Sequence, residues 1–249
     1  MAQPDTPSSA VETEAALFGA VDRAPLTPVR RVVAERMAAS WRDIPQVTQF
    51  DEIDLEPLER LRQRLADEAG EAGVRLTWLP FILKACARTL VSHPALNAAF
   101  DAQAGALILK RYVNLGVAVD TPAGLMRPVI KGVADLGWLD IARRLAALSG
   151  AARDGRLPFS DMEGASFSVT SLGRIGGTGF TPLVFPPETA ILGIARASRR
   201  IVPEAGGIAS CLRLPLALTY DHRAVDGAGA GRFLTELAAC LEQPEPLAA

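Results

Sequence analysis

Two histidines are the side chains of this sequence best suited to move a proton near neutral pH. His93 precedes Pro94 at the end of a predicted helix, where it can cap free carbonyl groups, so we predict a structural role for it. His222 directly follows a predicted buried strand and lies between Asp221 and Arg223. Catalytic groups are commonly presented where a strand runs into a loop. From the residues alone, His222 is therefore either a general base or a structural histidine.

Other residue types give weaker indications of chemistry. The glycine-rich segments 173–179 and 227–231 match neither a P-loop nor a dinucleotide-binding pattern, so we interpret them as tight turns or places of close ligand approach. Asp51, Glu52 and Asp54 are close in sequence, but alternate residues of a strand face opposite ways. No G-x-S-x-G elbow is present in the sequence. We therefore predict neither a metal site nor a serine hydrolase.

Composition excludes several classes of protein. The net charge of -2 argues against a nucleic-acid binder, which would need an excess of basic residues. The first residues lack the basic and apolar regions of a signal peptide, and no run of about 18 apolar residues predicts a membrane span. Cys86, Cys211 and Cys240 are too far apart for a C-x-x-C redox or zinc motif. We expect a cytoplasmic protein that binds neither nucleic acid nor membrane.

Periodicity predicts the elements that must position these residues. Residues 1–24 are rich in Pro, Ser, Ala and acidic residues and are predicted to form a flexible tail. Thr27 and Thr77 are predicted helix N-caps. The predicted helices cover 28–44, 56–72, 77–92, 138–152 and 228–241, and the predicted strands cover 46–54, 106–119, 166–170, 189–195 and 212–220. This irregular alternation predicts a mixed sheet covered by helices on one face.

The segment DHRAVDG (221–227) resembles the H-x-x-x-D-G signature of the catalytic domain of dihydrolipoamide acyltransferases, which is shared with chloramphenicol acetyltransferase. These acyltransferases belong to 2-oxoacid dehydrogenase complexes. Segment 44–55 is most similar to the acetyl-transferring, pyruvate dehydrogenase branch. Further segments resemble family blocks in the same order: 75–87, 114–130 and 167–194. The resemblance covers about residues 17–247.

The resemblance implies an α+β fold: a two-layer α/β sandwich with a mixed sheet, as in the chloramphenicol acetyltransferase-like, coenzyme A-dependent acyltransferases. The catalytic domain would cover 25–249, after a linker remnant at 1–24. The implied assembly is a homotrimer, or a larger cage of such trimers, with active sites between subunits. Implied substrates are coenzyme A or acetyl-CoA and a lipoyl group on another domain or chain. Implied partners are a lipoyl domain and the other dehydrogenase-complex subunits.

The resemblance also assigns roles to residues of the site. His222 would be the general base, and the Thr170 hydroxyl would donate a hydrogen bond to the oxyanion of the tetrahedral intermediate. Without the resemblance, Thr170 would be interpreted as a packing residue of a strand. Asp226 would orient the active-site loop. The matching coenzyme A contacts are Arg62, Thr77, Asp120 and Ser171.

Three of the four coenzyme A contacts also have a plain structural interpretation. Arg62 can be a solvated helix residue, Thr77 an N-cap and Asp120 a turn residue. Two functional alternatives also stay open: a catalytically idle scaffold, or acyl transfer to an acceptor other than coenzyme A.

The sequence shows no lipoyl domain before the catalytic blocks, which predicts an excised domain or a separate chain. Its last residues, EQPEPLAA, leave assembly beyond the trimer open.

Overall fold

The computed structural model describes residues 17–248 except 20, 23, 174 and 205. The predicted tail at 1–24 lies mostly outside these residues, so the predicted domain boundary stays a prediction. Among the described helices, none has the length and apolarity needed to cross a membrane. The helices are α1 (Pro28–Asp43), α2 (Glu56–Arg64), α3 (Ala66–Glu71), α4 (Leu79–Ser92), α5 (Trp138–Arg153) and α6 (Gly227–Glu242), and short 3-10 helices lie at Pro94–Asn97, Val133–Asp135, Phe159–Asp161 and Glu245–Leu247.

The strands form one mixed sheet and a separate hairpin. The strands are β1 (Gln46–Asp54), β2 (Ala98–Asp101), β3 (Ala106–Leu109), β4 (Leu115–Val117), β5 (Val129–Ile130), β6 (Phe167–Ser171), β7 (Ala190–Ile194), β8 (Ser198–Glu204) and β9 (Gly207–Asp221). The sheet order is β1-β9-β7-β6-β4-β5, and β8 pairs with the first half of β9. Strands β4, β6 and β7 run parallel, while β1 and β7 pair antiparallel with β9. The hairpin is formed by β2 and β3.

The core lies between the helices and one face of this sheet. Alternate residues of β9 are buried against the helices, as their spacing in the sequence predicts: Leu214, Leu216, Leu218 and Tyr220. Phe81 of α4 and Phe233 of α6 are fully buried in the same cluster. Full burial of such a side chain stabilises the fold by about 1.5–3 kcal/mol. The predicted mixed sheet with helices on one face is therefore confirmed.

Part of the opposite face is covered by an irregular segment, residues 180–188. Phe180 and Pro182 lie close above Gly193 of β7, so that an added Cβ there would come within 3.0 Å of the Phe180 ring. Farther along, Val184 packs with Ile191. Thr170, near the carboxyl end of β6, lies on this second face.

Two predicted elements are divided in the structure. The helix predicted over 56–72 breaks at Leu65 (φ -93°, ψ 3°), which directs Leu61 and Ala69 into the same core. The strand predicted over 106–119 is interrupted because the Asn97 side-chain amide donates to the carbonyl oxygens of Lys110 and Tyr112, at 3.0 and 2.8 Å. These bonds hold the segment that connects the β2–β3 hairpin to the main sheet.

The structure also differs from the predicted elements at the start of α4 and at strand β8. Thr77 does not cap α4, because the helix begins at Leu79, with Trp78 as its N-cap and Pro80 in its first turn. Strand β8 was not predicted, because its arginines and Pro203 show no alternation of apolar and polar residues. By contrast, Thr27 caps α1 as predicted, accepting from the Arg30 N–H at 3.3 Å.

Candidate active site

A tight turn after β9 presents His222 to solvent. Its backbone N–H donates to the Pro45 carbonyl oxygen at 3.0 Å, which attaches the turn to the start of β1. The imidazole ring lies 6.0 Å from the Tyr220 ring, centroid to centroid. Because Tyr220 is buried, it supports one side of an otherwise exposed histidine.

A buried carboxylate holds this turn in shape. Asp221 is 1% exposed, and its oxygens accept from Arg223 Nε at 2.9 Å and Nη2 at 2.7 Å. The Asp221 carbonyl oxygen accepts from the N–H groups of the two residues after Arg223. The Arg223 guanidinium stacks on the Phe100 ring at 4.3 Å. Sequence reasoning assigned neither charged residue a role, although their positions on both sides of the histidine were a usable signal.

Asp226 connects the turn to the helix that follows. It is the N-cap of α6, and its Oδ1 accepts from the Gly229 N–H at 2.6 Å. The structure thus places Asp226 in a hydrogen bond with a helix N-terminus, which suits a carboxylate. Through this bond, the position of the His222 turn is coupled to α6.

Thr170 lies near the carboxyl end of β6, half-buried, on the sheet face opposite the helices. Its neighbour across the strand pair is Gly193 of β7. The ring of Phe180 covers Gly193, so the surroundings of the threonine are partly apolar. A hydroxyl in such surroundings makes stronger hydrogen bonds than one in water.

His222 and Thr170 lie near opposite ends of strand β7 within one chain. Thr170 is level with Gly193, which is level with Ala217 of β9. His222 follows Ala217 by five residues, away from that level. With about 3.3 Å per residue along a strand and about 4.8 Å between strands, the separation is about 20 Å. A single chain therefore does not bring the two residues together.

A cleft of about 580 Å³ lies at the same end of the sheet as Thr170. Of the four residues predicted to contact coenzyme A, Arg62, Thr77 and Ser171 line it, and Asp120 does not. Asp120 follows β4, where the Ala118 N–H donates to the Val169 carbonyl oxygen of β6. It is therefore close to the end of β6 but outside the cleft wall.

The cleft has a basic character. Arg75 and Arg196 line it together with Arg62, and neither was singled out by sequence reasoning. Arg62 lies beside Glu59, and the hydrogen bond from Arg62, followed by those from Trp78 and Gln63, lowers the pKa of the Glu59 carboxyl to about 2. Three guanidinium groups against one carboxylate favour an anionic ligand.

His93 has a different environment from His222. Its Nε2 lies 2.9 Å from a carboxylate oxygen of Glu236, and its ring packs edge-on against Phe233 at 5.6 Å. These contacts join the end of α4 to α6. The structure thus places the side chain between two helices rather than on the free carbonyl groups of its own helix.

Comparison with known proteins agrees with this architecture. Residues 18–249 match the model of the 2-oxoacid dehydrogenases acyltransferase (catalytic domain). The acetyltransferase component of the pyruvate dehydrogenase complex of Pseudomonas aeruginosa is 43% identical over 226 residues, 91% of this chain and 41% of that protein. Its counterpart in Azotobacter vinelandii is 43% identical over 222 residues, 89% of this chain and 35% of that protein. The chain thus spans about two fifths of the length of these relatives.

Solved structures show the same fold. A structure of Azotobacter vinelandii dihydrolipoamide acetyltransferase superimposes with a TM-score of 0.91 at 40% identity, covering 99% of this chain and 100% of that one. That work concerned the roles of a serine, a histidine and an asparagine in catalysis. Chloramphenicol acetyltransferase, at 15% identity and a TM-score of 0.52, covers 83% of this chain and shares the fold alone. The chain therefore belongs to the family of 2-oxoacid dehydrogenase acyltransferase catalytic domains.

Proposed function

We propose that this chain transfers an acetyl group between a lipoyl thiol and coenzyme A, as the core acyltransferase of a pyruvate dehydrogenase complex. One observation carries the proposal. In the Azotobacter vinelandii enzyme, the serine precedes the histidine and the asparagine follows it by the same numbers of residues that separate Thr170 and Asp226 from His222. Threonine keeps the hydroxyl of serine, and aspartate keeps the hydrogen-bond acceptor of asparagine.

His222 acts as the general base in this proposal. A free thiol has a pKa of roughly 8.5 and is mostly protonated at neutral pH. A ring nitrogen of His222 takes the proton of the coenzyme A thiol as the sulfur attacks the thioester carbonyl of S-acetyl-dihydrolipoamide. The exposure of the imidazole on its rigid turn suits this role. When the tetrahedral intermediate collapses, the lipoyl sulfur leaves and recovers the proton from the imidazolium.

Thr170 stabilises the oxyanion of that intermediate. Its hydroxyl donates to the oxygen that was the thioester carbonyl, and a donor of this kind contributes about 3–4 kcal/mol in a preorganised site. Because the two residues lie about 20 Å apart in one chain, His222 must meet a Thr170 of another subunit. A trimer with active sites between subunits satisfies this requirement.

The basic cleft receives coenzyme A in this proposal. Arg62 binds a phosphate, with Thr77 and Ser171 as further contacts, while Asp120 contributes from outside the described cleft wall. The proposed partners are a lipoyl domain, which brings the acetyl group, and the other dehydrogenase-complex subunits, in the cytoplasm. The relatives named above, components of pyruvate dehydrogenase complexes, support these partners.

The proposal is tested by mixing the purified protein with acetyl-CoA and dihydrolipoamide and following thioester formation. We expect His222→Ala to lower kcat by about 100- to 10,000-fold, the usual contribution of a general base. His93→Gln is the matched control, because this second histidine lies between α4 and α6. Full activity of His222→Ala would refute the mechanism. An inactive wild-type chain that still assembles would instead favour the scaffold alternative.

A further inference from the structure

One carboxylate organises the wall of the basic cleft. Glu59 Oε2 accepts from Arg62 Nε at 2.8 Å and from the Trp78 indole N–H at 2.6 Å. Its Oε1 accepts from Arg62 Nη2 and from the Gln63 side-chain amide, both at 2.7 Å. The carboxylate thus has four donors around it, and the side chains of Glu59 and Arg62 are only 17% and 25% exposed. Because both oxygens of this largely buried carboxylate accept two hydrogen bonds each, it fixes the positions of the donor groups.

Three of these bonds lie within α2, and the fourth, from Trp78, connects α2 to the start of α4. Glu59 and Arg62 belong to α2, whereas Trp78 directly precedes α4. Both Arg62 and Trp78 line the cleft. Glu59 therefore joins its two walls and holds a cationic and an aromatic side chain in a fixed relative position.

The geometry leaves Arg62 ready for an anion. Glu59 occupies the edge of the guanidinium that carries Nε and Nη2. The group is planar, with five N–H donors in a fixed fork, so the remaining Nη1 edge is oriented by the bond on the other side. A free arginine loses much side-chain freedom when it binds a phosphate, whereas one already held by a carboxylate loses little.

We propose that Glu59 is a positioning residue for coenzyme A, which acts through Arg62 and Trp78 on the nucleotide end of the molecule. This inference rests on the proposed function. Arg62 presents its free edge to a phosphate, and the Trp78 ring forms an apolar surface beside it. Glu59 stays ionised at physiological pH, since its pKa is about 2. With Arg75 and Arg196 in the same cleft, the net charge around the ligand remains positive.

The test measures the Kd of coenzyme A and of adenosine 3',5'-bisphosphate by calorimetry. We expect Glu59→Gln to raise both about tenfold, or about 1.4 kcal/mol. An amide cannot accept from all four donors, so Arg62 is released. Acetyl transfer to pantetheine, which lacks the nucleotide, should be unchanged. In an Arg62→Met background, Glu59→Gln should raise the Kd by much less than tenfold, because only the positioning of Trp78 is then left to lose.

Gln63→Ala is the matched control. It removes another donor to the same carboxylate, outside the cleft wall, and should change the Kd within about twofold, as for most surface substitutions. A fall or no change in Kd for Glu59→Gln would overturn the inference, because the carboxylate would then only offset charge. An equal loss with pantetheine would also overturn it, since that result indicates a general structural defect. Wild-type protein that binds coenzyme A without acetyl transfer would refute the proposed function, while the Kd comparison would still test Glu59.

Discussion

At the scale of single residues, the environment of each candidate side chain matters as much as its type. His222 is exposed on a turn that is held by an ion pair between buried Asp221 and Arg223. The other histidine, His93, is engaged with Glu236 between two helices. The imidazole of His222 is thus available to a substrate, whereas that of His93 makes a structural contact.

The hydroxyl of Thr170 gives a prediction at this scale. Thr170→Val keeps the shape of the side chain and removes the donor, so kcat should fall about 100- to 1000-fold. The KM for coenzyme A should not change, because the hydrogen bond forms only in the transition state. Thr170→Ser should remain active. Steady-state kinetics give kcat and KM for both variants. A higher KM at unchanged kcat for Thr170→Val would contradict the proposed role.

At the scale of elements, the helices and strands hold the site through polar contacts at their ends. Asp226 caps α6 directly after the His222 turn. Ser168, two residues before Thr170 on β6, donates to buried Glu188 at 2.6 Å, and Glu188 also pairs with Arg127. One contact fixes the turn and the other fixes the strand.

The cap of α6 can be tested by two substitutions. Asp226→Ala should lower the free energy of unfolding by about 1 kcal/mol, since the Gly229 N–H loses its acceptor. Asp226→Asn keeps an acceptor oxygen and should retain both stability and activity. Denaturant unfolding compares the variants. If Asn and Ala were equally destabilising, capping would not be what Asp226 contributes.

The Arg127–Glu188 pair predicts a pH dependence. Burial raises the pKa of Glu188, while Arg127 and Ser168 act in the opposite direction. Arg127→Met should therefore raise this pKa further and lower the unfolding free energy by about 3–5 kcal/mol at neutral pH. In the folded state of the variant, Glu188 binds a proton more tightly than in the unfolded state. The loss of unfolding free energy should therefore shrink as the pH falls below the pKa of Glu188 in the folded state.

The control for this prediction is Arg127→Met combined with Glu188→Gln. This double variant leaves no charge at the buried position, so its unfolding free energy should exceed that of Arg127→Met alone at neutral pH and vary less with pH. Urea unfolding at several pH values gives the comparison. A loss of stability in Arg127→Met that is the same at pH 5 and pH 7 would contradict the account.

At the scale of the whole molecule, one chain does not bring together the two residues that we propose for catalysis. His222 and Thr170, the base and the oxyanion donor that we propose, lie about 20 Å apart near opposite ends of strand β7. The site that we propose therefore exists only in an oligomer. A trimer of this chain would have a mass of about 80 kDa, which sedimentation distinguishes from a monomer and from a cage.

Mixed oligomers test this shared site directly. His222→Ala and Thr170→Val should each be nearly inactive alone, but coexpression should restore activity. If each site takes its histidine and its threonine from different subunits, random mixing leaves both native residues in about a quarter of the sites. If both residues came from one chain, no mixed site would be native. The absence of restored activity would thus refute the shared site.

Much of the fold was predictable because it depends on local patterns. The alternation over 212–220 and the helical spacing over 138–152 predicted elements that the structure confirms. The break at Leu65 and the start of α4 at Leu79 were not predictable, since they depend on core contacts and hydrogen bonds from elsewhere in the chain. Strand β8 was missed because an edge strand exposed to solvent does not need an apolar face.

The sequence by itself determined the family, the identity of the candidate base and the general mixed-sheet architecture, because motif order and periodicity are properties of the chain. Only the tertiary structure showed that Glu59 joins Arg62 to Trp78 across a cleft. Only the strand register showed that Thr170 and His222 are about 20 Å apart in one chain. Distances between residues remote in sequence depend on how the strands pair, and strand pairing is not encoded in local spacing.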